Sequence, residues 1–149
     1  MTGRQPYQVI ISPHWKRVSI YDGGETFLRE FVRTPEVQRN LLAAHWCQSE
    51  VMNGGFWQFF FNSTGVLAPE AARAFEAIGL PRLGALVRGA MALFGDEYPR
   101  DRAARRRRLE EPIFLREMDE EFFRMWKIEN GGWLAAANAY AATYGAAPR

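Results

Sequence analysis

The stretch from Glu50 to Gly65 constrains the fold more than any other part of the chain, because it crowds aromatic and amide side chains between glycines. In a helix, side chains four positions apart lie on the same face. The aromatic pairs with this spacing are Phe56 with Phe60 and Trp57 with Phe61. Gln58 and Asn62 are then left together as the one polar edge, whereas a strand would divide the polar and aromatic residues less cleanly. The pattern therefore predicts a mostly buried helical segment after the glycine pair.

Buried amide groups need hydrogen-bond partners, so the polar residues around this segment have two interpretations. The candidate cluster comprises Glu50, Asn53, Gly54, Gly55, Phe56, Gln58 and Asn62. One interpretation is a structural network that holds two helices and a glycine turn together. The other is a polar pocket that binds a small ligand or supports hydrolysis. We favour the structural network, because buried amides are usually satisfied internally and such networks specify packing.

The length and composition indicate one folded domain over residues 1–149. Hydrophobic residues make up 48% of the chain and charged residues 24%, which suffices for a single core. No apolar run is long enough for a membrane span, and residues 1–6 lack the layout of a secretory signal. The single cysteine, Cys47, cannot form an internal disulfide. A cytoplasmic location is the expectation, with no membrane partner.

Proline and glycine divide the chain into helix-sized pieces, which predicts an all-α domain of about seven to nine short helices. Predicted starts are Ser12-Pro13, Thr34-Pro35, Ala68-Pro69, Pro81, Pro99 and Asp119. Predicted ends are Asp22-Gly23-Gly24, Asn53-Gly54-Gly55, Gly79, Gly95, Pro112 and Asn130-Gly131-Gly132. Only segments 8–11 and 18–21 look like strands, and both are short.

Two of the later helices carry patterns that predict their inner faces. In the helix after Asp119, the expected inner residues are Phe122, Phe123, Trp126 and Ile128. In an alanine-rich final helix over residues 133–144, Leu134, Ala137, Ala141 and Tyr144 are expected on one face. The tail 145–149 is expected to fray.

A set of short motifs spread along the chain resembles the signature of the DNA-mimic protein 19 family. The motifs are Gln38-Arg39, Leu41-Leu42, Glu50-Val51, Asn53-Gly54-Gly55-Phe56, Gln58-Phe59-Phe60, Asn62-Ser63-Thr64-Gly65, Ala77-Ile78-Gly79 and Met118-Asp119-Glu120-Glu121-Phe122-Phe123. The resemblance runs over residues 35–126. It implies an all-α fold and, for the founding member, a non-catalytic dimer whose acidic surface imitates DNA and occupies a DNA-binding repressor.

The charge of this chain departs from that activity. A decoy for duplex DNA needs an array of carboxylates in place of phosphates, yet the net charge here is +2. The nearest candidate for an acidic interaction surface is Glu110, Glu111, Glu117, Asp119, Glu120 and Glu121. A shared fold does not by itself carry a shared activity. The resemblance therefore predicts the scaffold, while the charged surface would set the partner.

A run of arginines provides the opposite candidate, a basic surface for nucleic acid. Its residues are Arg102, Arg105, Arg106 and Arg108. Consecutive helical positions point around the whole circumference, so they cannot all face one groove. A solvated face paired with neighbouring acids is the preferred interpretation. Nucleic-acid binding stays an alternative, and it predicts an affinity that falls steeply with salt.

No catalytic residue, metal site or cofactor is predicted. His45 and Cys47 are two positions apart, which points their side chains in nearly opposite directions on a helix. The leading hypothesis is a non-enzymatic all-α module that binds an unidentified protein partner, with a regulatory or inhibitory role implied only by the resemblance. A homodimer is left open, because alanine-rich helices suit both dimer seams and monomer cores.

Overall fold

The computed structural model describes residues 3–15, 24–111, 113 and 115–146. These residues form eight α-helices and two 3-10 turns, and none of them lies in a strand. The helices are α1 (Pro6–Trp15), α2 (Gly24–Arg33), α3 (Glu36–Phe61), α4 (Ala68–Ile78), α5 (Pro81–Ala92), α6 (Arg102–Leu109), α7 (Arg116–Ile128) and α8 (Trp133–Ala146). The 3-10 turns are Ser63–Leu67 and Glu129–Gly131. The predicted all-α fold class is confirmed for the described residues.

Helix α3 is the centre of the packing, since it contacts α1, α4, α6, α7 and α8. Its apolar residues Leu41, Ala44, Cys47 and Val51 recur every three or four positions and have no exposed surface. The helix predicted to start after Thr34-Pro35 is therefore present, and its 26 residues make it the longest of the described helices. Cys47 is a core residue.

Proline and glycine mark several helix limits correctly. α4 begins at Ala68 with proline in its first turn, and α5 begins at Pro81. Gly79 closes α4 in a left-handed conformation, with φ of 96°. This conformation is open to glycine without the steric penalty that a side chain would meet.

The predicted helix start at Ser12-Pro13 is wrong, because both residues lie inside α1. α1 begins instead at Pro6, whose fixed φ suits the first helical position. The backbone N–H of Gln5 donates to Oε1 of Gln8 at 2.8 Å, which is one half of a capping box. The strand-like segment 8–11 is part of the same helix.

The predicted helix end at Gly24 is also wrong, because Gly24 begins α2. The other predicted end residues, Asp22 and Gly23, and the strand-like segment 18–21 lie outside the described residues. Phe27 and Phe31 lie four positions apart in α2, and their rings stack with centroids 5.9 Å apart. Both rings are buried, which holds this face of α2 against the core.

The predicted start at Pro99 falls three residues too early. α6 begins at Arg102, and the carboxylate of Asp101 accepts a hydrogen bond from the N–H of Ala104 at 2.9 Å. Asp101 is therefore the N-cap, a role that its side chain performs and a proline cannot. The predicted end of this helix, Pro112, lies outside the described residues.

The inner faces of α7 and α8 are narrower than predicted. Phe122 is fully buried, but Ile128 is 59% exposed because it ends α7 at the surface. In α8, Ala137 and Ala141 are buried while Leu134 and Tyr144 are largely exposed. α8 extends to residue 146, so the predicted frayed tail begins within the helix, and residues 147–149 lie outside the described part.

Among the described helices, none combines the length and the apolar character needed to cross a bilayer.

Candidate functional site

The glycine pair divides α3 into two helical segments, 36–53 and 56–61. Gly55 has φ of 75° and ψ of 178°, a conformation that is essentially restricted to glycine. A Cβ at this position would also lie 2.6 Å from Oδ2 of Asp119. The predicted break after Asn53 is therefore present, although the chain turns directly into a second segment.

Asp119 caps this second segment from a different helix. Its Oδ1 accepts the N–H of Phe56, the first residue after the break, at 2.8 Å. Burial raises the pKa of the Asp119 carboxyl, and this hydrogen bond from Phe56 partly offsets the rise. The prediction that Asp119 begins its own helix is wrong, because α7 already begins at Arg116. Asp119, which lies in α7, therefore caps the start of a segment of α3.

Glu50 connects the two segments of α3 across the glycine break. Its Oε2 accepts the amide N–H of Gln58 at 2.6 Å and of Asn62 at 3.0 Å. The amide of Asn53 donates to Oε1 of Gln58 at 3.2 Å. The four polar residues singled out in the sequence thus meet: two amides donate to the Glu50 carboxylate and one donates to another amide. The arrangement holds the second segment at a fixed angle to the first.

Glu50, Asn53 and Gln58 also border an open depression of about 580 Å³. Its lining residues are Gln48, Ser49, Glu50, Met52, Asn53 and Gln58. Oε1 of Glu50 accepts no hydrogen bond from the described residues, so it can receive a donor from outside. Within the described part of the chain, no group of three His, Cys, Asp or Glu side chains is placed to hold a metal ion.

The aromatic segment is only partly buried, which corrects the prediction for one of its residues. Phe56, Phe59 and Phe60 have no exposed surface, whereas Trp57 is 45% exposed. The Trp57 ring stacks on Phe61 with centroids 4.6 Å apart and an angle of 14° between the planes. Phe61 is half-buried and packs against the core, so Trp57 is the outer ring of the pair.

Arg106 completes this surface. Its guanidinium carbon lies 4.1 Å from the centroid of the Phe61 ring, a cation–π contact. Its Nε also donates to the carbonyl of Phe61 at 3.3 Å. We call Trp57, Phe61 and Arg106 the Trp57 face. Phe61 lies at its centre, because both the Trp57 ring and the Arg106 guanidinium contact the Phe61 ring.

The arginine helix α6 is used chiefly to satisfy the carbonyl groups at the end of α3. Arg105 is fully buried, which contradicts its predicted place on a basic surface. Its Nε donates to the carbonyl of Phe60 at 2.9 Å and its Nη2 to that of Asn62 at 3.0 Å. Arg102 donates to the carbonyl of Phe61 at 3.0 Å. The last carbonyls of a helix lack partners within it and carry partial negative charge, so they attract such donors.

The predicted acidic residues do not form an unpaired array. Glu111 lies 3.7 Å from Arg108, Glu120 lies 3.2 Å from Arg116, and Glu121 lies 2.7 Å from Arg124. Glu110 and Glu117 are exposed, and Asp119 is turned inward to α3. The guanidinium in each pair offsets the charge of the carboxylate, so the negative potential of this surface is weaker than six acidic residues would give.

Sequence reasoning identified the amide cluster but missed the functions of Arg105 and Asp119. Neither contact leaves a short sequence motif, because Arg105 is 45 positions from Phe60 and Asp119 is 63 positions from Phe56.

A family model described as DMP19-like protein matches residues 33–144, which include the amide cluster, the Trp57 face, α6 and Asp119. No curated protein and no solved structure matches the chain.

Proposed function

The chain belongs to the DMP19-like protein family, and on this premise we propose that it is a non-enzymatic module that binds a protein partner through the Trp57 face. The observation that carries the proposal is the exposed Trp57 ring, stacked on Phe61 at the end of α3. Tryptophan and arginine are enriched among the residues that dominate binding energy at protein interfaces.

The supports of the Trp57 face favour binding because they reduce the ordering that a partner must impose. Arg106 is already oriented by the Phe61 carbonyl and ring. The backbone beneath is held by Arg105 and by the Glu50 network. A preorganised surface loses less conformational entropy on association than a mobile one.

A regulatory or inhibitory role extends the proposal on the basis of the family resemblance. We do not extend it to imitation of DNA. Three carboxylates of the acidic residues pair with arginines, and the chain carries a net charge of +2. Recognition by aromatic stacking and hydrogen bonding suits these charges better than phosphate mimicry. A second copy of the chain is included among the protein partners.

The open depression beside Glu50 supports a second candidate function, the binding of a small polar ligand. Its size is within the range of ligand pockets, and Oε1 of Glu50 offers an acceptor there. Nucleic-acid binding is less favoured, because Arg102, Arg105 and Arg106 already donate to main-chain carbonyls.

The proposal can be tested by capture experiments with two matched variants. Wild type, Trp57→Ala and Tyr144→Ala would be immobilised and exposed to a lysate of the host cell, with and without nuclease. Tyr144 is a suitable control, because it is 42% exposed and Trp57 45%. We expect a protein that wild type and Tyr144→Ala retain in stoichiometric amount, and that Trp57→Ala loses.

Circular dichroism would establish that each variant is folded. Equal retention by Trp57→Ala would contradict the proposed face. Retention that disappears with nuclease would support the nucleic-acid alternative, and sedimentation of the purified chain would identify self-association.

A further inference from the structure

A second cavity lies on a different part of the molecule, between α2, α3 and α4. It is half enclosed and has a volume of about 590 Å³. Its apolar side is formed by Leu28, Phe31, Val32 and Ala77, and its polar side by Glu36, Arg39, Asn40, Glu70, Arg73 and Arg100. We call it the α2 pocket. Its size is that of a small-molecule site.

The guanidinium groups of the α2 pocket are held by protein acceptors and retain further donors. Glu70 lies between two of them, with Oε2 3.5 Å from Arg73 and Oε1 bonded to Arg100. Nη1 of Arg100 also donates to the carbonyl of Val66 at 2.7 Å. Arg39 is oriented by the carbonyl of Val32 at 3.2 Å. Each arginine has five N–H donors, so each keeps donors that no described residue accepts.

The charges lining the α2 pocket do not cancel. Three arginines face two glutamates, which leaves one positive charge. Both oxygens of Glu70 are engaged by Arg73 and Arg100. A ligand with a single negative charge would balance the lining, and a carboxylate matches the planar geometry of guanidinium.

The apolar side continues beyond the arginines along α2. Leu28 and Val32 are four positions apart and, with Glu25 and Arg29, line an adjoining depression of about 390 Å³. Val32 is 64% exposed, a large value for an aliphatic residue beside a cavity. An unbranched apolar chain could follow this strip from the arginines outward.

We propose that the α2 pocket binds an alkyl monocarboxylate, whose head group lies against Arg39 and Arg73 and whose chain lies along Leu28 and Val32. The ligand is a medium-chain carboxylic acid in its ionised form. Three features determine this choice of ligand: one uncompensated positive charge among the lining residues, guanidinium donors that no described residue accepts, and an adjoining apolar strip. The site is separate from the Trp57 face, so it stands independently of the function proposed above.

The test uses titration calorimetry of the full chain with octanoate. Octylammonium and octanol carry the same chain without the anionic head group, and acetate carries the head group without the chain. We expect octanoate to bind with a dissociation constant below about 1 mM. The three control compounds should bind at least about tenfold more weakly, because each lacks one half of the recognised chemistry.

Two variants separate the site from general charge effects. Arg73→Gln removes a 65% exposed arginine that pairs with a glutamate three positions away. Arg124→Gln is matched to it, since Arg124 is 62% exposed and has the same kind of pair with Glu121. Octanoate affinity should fall about tenfold in Arg73→Gln, the equivalent of one charge-assisted hydrogen bond, and should be unchanged in Arg124→Gln.

Equal affinity of the two variants for octanoate would overturn the proposal, as would equal binding of octanoate and octylammonium to wild type. The absence of octanoate binding at millimolar concentration would overturn it as well. Octyl phosphate binding tenfold more tightly than octanoate would replace the carboxylate by a phosphate head group and refute the ligand class.

Discussion

Replacing Arg105 by methionine tests whether a buried charge holds the end of α3 to α6. Arg105 donates to the carbonyls of Arg100, Phe60 and Asn62 at 2.5, 2.9 and 3.0 Å, and it has no exposed surface. A buried acceptor that loses its donor costs about 1–3 kcal/mol. The Asn62 carbonyl keeps the N–H of Gly65 as a donor at 3.2 Å, so two carbonyls lose their donor, which gives a gross loss of about 2–6 kcal/mol. Methionine recovers part of this loss, because a desolvated charge is replaced by an apolar chain.

We therefore expect Arg105→Met to lower the free energy of unfolding by about 2–4 kcal/mol. Urea unfolding followed by circular dichroism would measure the change as a shift in midpoint. Arg107→Met is the control, because Arg107 is exposed in the same helix and should change stability by less than about 0.5 kcal/mol. A loss below about 1 kcal/mol for Arg105→Met, or a loss equal to that of Arg107→Met, would refute the reasoning.

A second substitution perturbs the same contact from the opposite side. A Cβ on Gly65 would lie 2.8 Å from Nε of Arg105 and 2.7 Å from the carbonyl of Phe59. Gly65→Ala should therefore destabilise the protein while leaving the arginine present.

Further predictions concern the glycine break, the amide cluster and His45, whose Nδ1 lies 2.9 Å from the hydroxyl of Tyr7 in α1. Asp119→Ala should cost about 1–2 kcal/mol in the free energy of unfolding, the usual range for a lost N-cap, and Asp119→Asn should recover part of it because its amide oxygen can accept the Phe56 N–H. Gln58→Ala should cost about 1 kcal/mol, because Glu50 loses one of its donors. Burial lowers the pKa of His45 from 6.5 to about 4, so its stabilising contribution is fully present above pH 6.5 and is lost as the pH falls toward 4. The loss totals roughly 3 kcal/mol, at about 1.4 kcal/mol per pH unit.

Each of these predictions is measured by chemical denaturation against a stated comparison. Glu117→Ala removes an exposed carboxylate from the same turn as Asp119 and should have little effect. Full stability of Gln58→Ala would argue against a structural network around Glu50. For His45, the difference between wild type and His45→Gln should change between pH 6.5 and 4, and a constant difference would contradict the assigned pKa.

Much of the fold was predictable because its determinants are local. The proline after Thr34, the proline at position 81 and Gly79 each act on the backbone of adjacent residues, and the structure confirms all three. Where two local signals compete, the prediction failed. Ser12-Pro13 has the form of a helix start, but Pro6 with Gln8 at the third position starts the helix earlier.

The candidate site was only partly predictable from the sequence. Spacing along one helical segment brought Gln58 and Asn62 together and paired Trp57 with Phe61. The same spacing could not show which side of the segment would face the core. Trp57 is exposed because of where α3 packs against its neighbours, which periodicity alone does not specify.

The sequence by itself determined the helical class, the break at Gly54-Gly55 and the membership of the amide cluster, because backbone conformation and spacing depend on neighbours along the chain. Only the tertiary structure decided that Arg105 is interior, that Asp119 caps another helix and that three arginines share the α2 pocket. These outcomes depend on which backbone polar groups lose their contact with water when the helices pack together. A charged side chain enters the interior only where folding has gathered enough backbone groups to replace its hydration.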